Sequence, residues 1–412
     1  MCGAMNPGVA RSICLAQSPE DAVNEFRHRS LGAIEVCDML SEDATIPWER
    51  GTRTVQLSDD SGRTTDMTVC LPTYRPGTRL GAVVCLHGAG SRGDELCAYF
   101  HGVAQAANVA VICPTAGVAP DKTSNLELAG LLGRRFRHAR WIPTYGDFPM
   151  QALRWARSTL GVDPDRCAII GHSMGAIATW ALAMRFTHAF SAALPIAGAA
   201  SMWEMFGPDR ETDALLPNLR KLPLFVVHGA ADTQIPIEMC RGLMSRLQAM
   251  GHRDFAYVEI PDGEHPLATM QMTAGVPHYD RMVSWLFRRH RQRWPMHVEH
   301  QAVDESHGRA HWIELRAIER GPTASVVGRI LTGELIQIEV SGARQLRLHL
   351  HHELVKPGDI TVAVNGKRIP IRFSPTLHDI VRSFIGNVDP GLVAEQVIAL
   401  DLGTESGQWR VD

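Results

Sequence analysis

From Gly81 to about residue 290 the chain alternates short apolar runs with helix-forming stretches, a pattern that few folds accept. The apolar runs fall at 82–86, 109–113, 167–171, 191–196, 223–228 and 254–259, and the helical stretches near 95–107, 147–160, 174–186, 236–250 and 279–290. Strands that are apolar along their whole length are buried on both faces, as in a parallel sheet lying between two layers of helices. Just upstream, Arg53 to Ser58 and Arg63 to Leu71 alternate in polarity across Asp59-Asp60-Ser61-Gly62, which predicts a β-hairpin. Adding the hairpin to the six runs gives an eight-stranded, mostly parallel sheet whose first strands are antiparallel.

The pattern changes after Pro295. Trp312 to Leu315, Leu335 to Val340, Gln345 to His351, Ile360 to Val364, Arg368 to Arg372 and Val397 to Leu402 alternate with period two. Asn365-Gly366 is a tight hairpin turn, and one short helix is expected from Thr376 to Phe384. A small β-sandwich domain follows from this. At the other end, Ser18-Pro19-Glu20-Asp21 reads as the start of a helix running to about Leu40. The division expected is a helical extension over 1–50, packed on the main domain, an α/β catalytic domain over 51–294 and a β-sandwich over 300–412. Arg288-Arg289-His290-Arg291-Gln292-Arg293 is expected to be a solvated helix end.

Composition removes several function classes. A formal charge of −3 with mixed signs argues against a nucleic-acid footprint or a polybasic membrane anchor. No apolar run approaches the ~18 residues that span a bilayer. The nine cysteines contain no C-x-x-C and end before residue 241, so reduced, structural thiols are expected. Residues 1–17 lack the apolar core of a signal peptide, so the chain reads as cytoplasmic, or as secreted if its N-terminus is truncated.

Chemistry concentrates at Gly171-His172-Ser173-Met174-Gly175, set between the apolar run 167–171 and the helix former 174–186. Strand, tight turn with serine at the apex, helix: this is the context of a G-x-S-x-G nucleophile elbow. The pentapeptide alone would occur by chance in about one such chain in seven. The rest of the chain has to support it.

A serine hydroxyl needs a general base, and the base needs a carboxylate to orient it. The run Leu224-Phe225-Val226-Val227-His228-Gly229 is followed by Asp232, the candidate acid. The last apolar run is followed by Pro261-Asp262-Gly263-Glu264-His265, a turn-rich loop presenting His265 as candidate base. His278 is the alternative base and Asp262 a distant alternative acid. The oxyanion requires two backbone N–H donors. Met174, directly after the serine, is one candidate. Ala89 in His87-Gly88-Ala89-Gly90 is the other, with His87 expected to brace that loop.

Residues 80–290, about half of the chain, resemble the esterase and prolyl-oligopeptidase-like branch of the α/β-hydrolases, the group around polyhydroxybutyrate depolymerase-like and feruloyl esterase-like proteins. The resemblance is carried by Leu86-His87-Gly88-Ala89-Gly90-Ser91-Arg92-Gly93-Asp94, by Val162-Asp163-Pro164-Asp165-Arg166, by the elbow, and by His228-Gly229-Ala230-Ala231-Asp232. It implies the α/β-hydrolase fold, a Ser173-Asp232-His265 triad in that chain order, no metal and no organic cofactor. The sequence departs from the family pattern at Ser91, where Glu is frequent, at Ala176, where a second Gly is frequent, and at Glu264, where Gly is common.

The expected activity is therefore hydrolysis of carboxylic esters, small or polymeric, through an acyl-enzyme. The alternatives are a prolyl-oligopeptidase-like peptidase or amidase, and an inactive hydrolase scaffold carrying a binding module. Trp141 and Tyr145 follow a basic stretch from Arg134 to Arg140 and are expected at the cleft, where they could contact substrate. His349 and His351 share one strand face with Arg347, opposite Leu346, Leu348 and Leu350; no ligand spacing there argues for zinc.

Overall fold

The computed structural model describes residues 6–42, 46–73, 75, 77–118, 139–318, 323–402 and 410–411. The expected stretch 134–138 lies outside the described residues. Helices α1 (Pro7–Ala16), α2 (Pro19–His28) and α3 (Ala33–Ser41) come first. They are followed by strands β1 (Gly51–Ser58), β2 (Thr64–Leu71) and β3 (Gly81–Leu86), then α4 (Gly93–Ala107) and β4 (Val109–Pro114). Next come α5 (Phe148–Trp155), β5 (Cys167–His172), α6 (Met174–Arg185) and β6 (Ala192–Ile196). The first half ends with α7 (Arg210–Leu215), β7 (Leu224–Gly229), α8 (Ile237–Ala249), β8 (Phe255–Ile260) and α9 (Pro277–Phe287).

These strands form one eight-stranded sheet in the order β1-β2-β4-β3-β5-β6-β7-β8. β1 pairs β2, and β2 pairs β4, antiparallel; every pairing from β4 through β8 is parallel. β3, β4, β6 and β7 are buried along their whole length, which is why they read as unbroken apolar runs. One core lies between the sheet and α5 and α6, with Phe148, Leu153, Trp180 and Leu182 at its centre. The other lies between the sheet and α4 and α9, around Phe100, Phe225 and Trp285. The sheet and its two helix layers are an α/β-hydrolase fold, as the alternation predicts.

The second half is β-rich. Strands β9 (His297–Ala302), β10 (Arg309–Ala310), β11 (Ile313–Ile318), β12 (Ala324–Thr332), β13 (Leu335–Ser341) and β14 (Ala343–Leu350) are followed by β15 (Gly358–Val364) and β16 (Lys367–Phe373). Helix α10 (Leu377–Asn387) and strands β17 (Gln396–Asp401) and β18 (Arg410–Val411) complete the chain. They form two five-stranded sheets, β10-β11-β14-β17-β18 and β16-β15-β13-β12-β9. A shared core of Trp312, Ile313, Leu346 and Leu348 from the first sheet meets Ile336, Ile338, Val362 and Val364 from the second. β9 and β12 were not expected; their inward positions include His300 and Gly328, which hide the apolar alternation.

Three expectations are corrected. The helix expected from Ser18 to Leu40 is two helices, broken where Ser30 takes a φ of +59° and Gly32 caps α3. The extension does not rest on the hydrolase sheet. Phe26, Val36 and Leu40 pack with Ile380, Val381, Phe384 and Val393, giving α1, α2, α3 and α10 a core of their own. The basic run after α9 is solvated only in part: Arg288, His290 and Gln292 are exposed, but Arg291 is buried. Its guanidinium donates to Asp389 at 2.6 and 3.0 Å, to Asp165 at 3.1 Å and to the His188 carbonyl at 2.8 Å. Arg157 joins Asp389 at 3.1 Å, so a buried ion network ties the hydrolase layer to the second half.

Among the described residues no helix is long and apolar enough to cross a membrane. The eight cysteines among them are free and buried.

Candidate active site

β5 ends at the elbow. Ser173 takes φ +56° and ψ −119°, a region that a non-glycine residue enters at a cost of about 1–3 kcal/mol. Its neighbours enforce it. A β-carbon on Gly171 would fall 2.0 Å from the Gly175 carbonyl oxygen, and one on Gly175 would fall 1.9 Å from the Leu86 carbonyl oxygen. Both glycines of G-x-S-x-G are therefore there for want of room. The Ser173 N–H donates to the Ile196 carbonyl at 3.0 Å, and the Ser173 carbonyl accepts from Ala176 and Ile177 at 2.8 and 3.0 Å as α6 begins.

Two further loops meet the elbow. After β7, Asp232 accepts the N–H groups of Gln234 and Ile235 on Oδ1, each at 2.9 Å. After β8, the loop 261–265 delivers His265. These two loops are tied together: Ala230 donates to the Ile260 carbonyl at 2.8 Å and Ala231 to the Gly263 carbonyl at 2.9 Å. A β-carbon on Gly229 would fall 2.2 Å from that Gly263 oxygen, so glycine is needed where the loops cross.

The three side chains form one hydrogen-bonded line. Ser173 Oγ–H donates to His265 Nε2 at 2.8 Å, and His265 Nδ1–H donates to Asp232 Oδ2 at 2.7 Å. Burial alone would raise the Asp232 carboxyl. Hydrogen bonds from His228, His265 and the Ile235 N–H, with the charge of His265, outweigh it and hold the group well below the usual carboxylate range. Asp232 is therefore held as the carboxylate at neutral pH. The alternatives lie elsewhere: His278 Nε2 donates to the Met270 carbonyl at 2.9 Å, and Asp262 is exposed at the turn after β8.

Met174 is the first residue of α6, so its N–H has no acceptor within the helix. The loop after β3 runs against the serine: a β-carbon on Gly88 would lie 3.1 Å from Ser173 Cβ. His87 braces this loop from behind. Its Nδ1–H donates to the Gly88 carbonyl at 2.7 Å, and its Nε2 accepts the Ala116 N–H at 2.9 Å. Those partners require the neutral imidazole, consistent with burial lowering its pKa.

Trp141 and Tyr145 sit differently from expectation. Trp141 is 6% exposed, its Nε1–H donates to the His87 carbonyl at 3.0 Å, and its ring meets His87 edge-on. It backs the loop rather than facing the cleft. Tyr145 packs edge-on against Phe186 and donates its hydroxyl proton to the Asn387 carbonyl at 3.0 Å, at the seam with α10. Large side chains exposed on the loop after β6 are instead Trp203 and Phe206, and Trp203 lines a cavity of about 190 Å³ with Ile177, Ala181, Ala200 and Ser201.

Two histidines that the motif reading left without a role touch the site. His172 Nε2–H donates to the His265 carbonyl at 2.8 Å. His228 Nε2–H donates to the Ile235 carbonyl at 2.9 Å and stands 3.5 Å from Asp232 Oδ2. The His172 contact spans 93 residues, so spacing could not disclose it, whereas His228 reaches Asp232 and Ile235 on the loop that follows its own strand.

A buried trio elsewhere, Cys37, His351 and Glu395, brings three metal-ligating side chains together. Hydrogen bonds already occupy two of them. His351 Nδ1 accepts the Glu353 N–H at 3.2 Å, which places the imidazole proton on Nε2, and Glu395 accepts from His352 Nδ1 at 2.6 Å.

Residues 58–257 match the family Esterase, described as "Putative esterase". That span includes Ser173 and Asp232 and ends before His265. The S-formylglutathione hydrolase FrmB of Staphylococcus aureus is 16% identical, with 58% of this chain and 100% of that one covered and a TM-score of 0.43. A thermostable esterase is 23% identical over 58% of this chain and 63% of its own, with a TM-score of 0.41. FphF, a fluorophosphonate-binding serine hydrolase of Staphylococcus aureus, is 17% identical over 58% and 98%, with a TM-score of 0.44. No curated protein matches the chain. With the eight-stranded sheet, its helix layers and the elbow in place, residues 58–257 match the Esterase family within a domain of α/β-hydrolase fold.

Proposed function

We propose that the protein hydrolyses carboxylic esters through an acyl-enzyme on Ser173. The observation that carries this reading is the unbroken line from Ser173 Oγ through His265 to a buried, ionised Asp232. His265 Nε2 removes the hydroxyl proton as Oγ bonds to the ester carbonyl carbon, and the carbonyl oxygen becomes an oxyanion. Asp232 holds the imidazole in the tautomer this requires and stabilises the imidazolium that forms. The N–H groups of Met174 and Ala89 receive the oxyanion, each contributing on the order of a hundredfold in rate.

Collapse of the tetrahedral intermediate breaks the bond to the alkoxide, which leaves with the proton from His265. Water then attacks the acyl-Ser173 carbonyl, giving its proton to His265. That proton returns to Oγ as the carboxylic acid departs. Each residue ends as it began, and no cofactor enters the sequence of steps.

The test is hydrolysis of a short p-nitrophenyl ester by the parent and by Ser173→Ala, with a chromogenic proline amide measured in parallel. Ester turnover that vanishes in the variant, with the amide cleaved poorly, is expected. Retained ester turnover in Ser173→Ala overturns the proposal, and preferential amide cleavage replaces the ester reading with a peptidase one.

A further inference from the structure

His172, the second residue of the elbow, lies where three loops converge. Its own backbone is the end of β5, directly before the nucleophile. Its Nε2 faces the His265 carbonyl oxygen at 2.8 Å, and the two rings stand 5.2 Å apart, tilted by 43°. On its other edge, a β-carbon on Gly88 would lie 3.3 Å from His172 Nδ1, so the loop that carries Ala89 passes against the same ring. One imidazole thus touches the elbow, the base loop and the proposed oxyanion loop.

The chemistry of the contact has one solution. A backbone carbonyl only accepts, so the proton is on Nε2. Burial disfavours the imidazolium and pushes the pKa of His172 down to about 4, leaving the neutral ring with Nδ1 bare.

The contact also closes a ring of constraints. Ser173 and His172 are covalent neighbours in a backbone that Gly171 and Gly175 leave no freedom to relax. His172 holds the backbone of His265, and the side chain of His265 returns to Ser173 Oγ. The base sits on a loop rich in turn residues, and Asp232 fixes only the orientation of its ring. The backbone of that loop is tied to the Asp232 loop at Ile260 and Gly263, and at His265 itself the tie is the bond from His172 to its carbonyl.

We infer that His172 is a positioning residue that sets the separation of Ser173 Oγ and His265 Nε2 by holding the base's backbone carbonyl, without touching substrate. The inference rests on the proposed role of Ser173 and His265. Misplacing a reacting group by about 1 Å costs on the order of a hundredfold in rate, and the loss falls on the chemical step rather than on binding.

The experiment compares the parent with His172→Leu, His172→Gln, His172→Asn and Ser173→Ala. It reads kcat and KM on a p-nitrophenyl ester, the rate of labelling by a fluorophosphonate, and the melting temperature. His172→Leu is expected to lose roughly ten- to a hundredfold in kcat and in labelling rate, with KM within about twofold and the melting temperature near the parent's. His172→Gln, whose amide can reach the carbonyl, is expected to recover most of the loss. His172→Asn, one methylene shorter, is expected to recover none and supplies the comparison with Gln if the leucine variant does not fold.

Parent-like kcat in His172→Leu, or equal impairment of Gln and Asn, overturns the inference. Full activity in Ser173→Ala would instead remove the triad reading beneath it.

Discussion

The α-carbon of Gly175 lies so close to the Leu86 carbonyl that a β-carbon there would stand 1.9 Å from its oxygen. Leu86 ends β3 and leads into the loop carrying Ala89, so this contact welds the start of α6 to the proposed oxyanion loop. The Gly175→Ala substitution must push the two apart. Overpacking of this kind costs about 1–3 kcal/mol. We expect a melting temperature several degrees lower and ester turnover reduced more than tenfold, since the Met174 N–H moves with the helix. Thermal unfolding followed by circular dichroism, with a parallel ester assay, measures both; a variant matching the parent in each would show the elbow to be slack.

His265 and His278 were the two bases that chain order allowed, and they make opposite predictions. His265→Ala removes the partner of both Ser173 and Asp232, and turnover should fall by on the order of a thousandfold or more. His278→Ala removes one hydrogen bond to the Met270 carbonyl, worth about 1 kcal/mol of stability, and should leave kcat within about twofold. A reversed order in the ester assay would move the base to residue 278.

Much of this was legible in the chain. β3, β4, β6 and β7 are buried throughout, so their residue types alone mark them, and the order of Ser173, Asp232 and His265 follows from where β5, β7 and β8 end. What stayed hidden depends on contacts between distant segments. Arg291 looks like a solvated cation until Asp165 and Asp389 are brought to it from 126 and 98 residues away. His349 and His351 look outward by period two, yet both are buried. Trp294 stacks on His351 at 4.7 Å, and Glu314 accepts from His349 at 3.0 Å. Trp141 and Tyr145 were placed at the cleft by their neighbours in sequence, whereas their ring N–H and hydroxyl are spent on carbonyls of His87 and Asn387.

The β-sandwich carries an acid sensitivity of its own. Burial pushes His300, His307 and His349 down to about 4, and His311 and His351 down to about 3, from an ordinary value of 6.5. Depressed histidines bind protons more readily in the unfolded chain, so acid favours unfolding. Their contribution to stability is complete above about pH 6.5 and is lost progressively as the pH falls toward 4. Amide exchange should therefore show protection across this half of the chain falling as the pH drops from about 7 to about 4.5. Protection there that is unchanged from about pH 7 to about pH 4.5 would contradict this.

The ion network at the seam makes a separate prediction. Asp389 is 2% exposed and faces both Arg157 and Arg291. Removing one member of a buried network strands the others, at a cost of about 3–5 kcal/mol. Asp389→Ala should lower the denaturant midpoint accordingly and make the two halves unfold separately. A single unchanged transition would show that the apolar contacts across the seam suffice.

The most direct test of the account is to treat the folded protein with a fluorophosphonate and locate the adduct by peptide mass spectrometry. The account predicts one phosphonyl group per chain, on Ser173, and none in Ser173→Ala or under denaturing conditions, where His265 and Asp232 no longer activate the hydroxyl. An adduct on another residue, or undiminished labelling in Ser173→Ala, would contradict it.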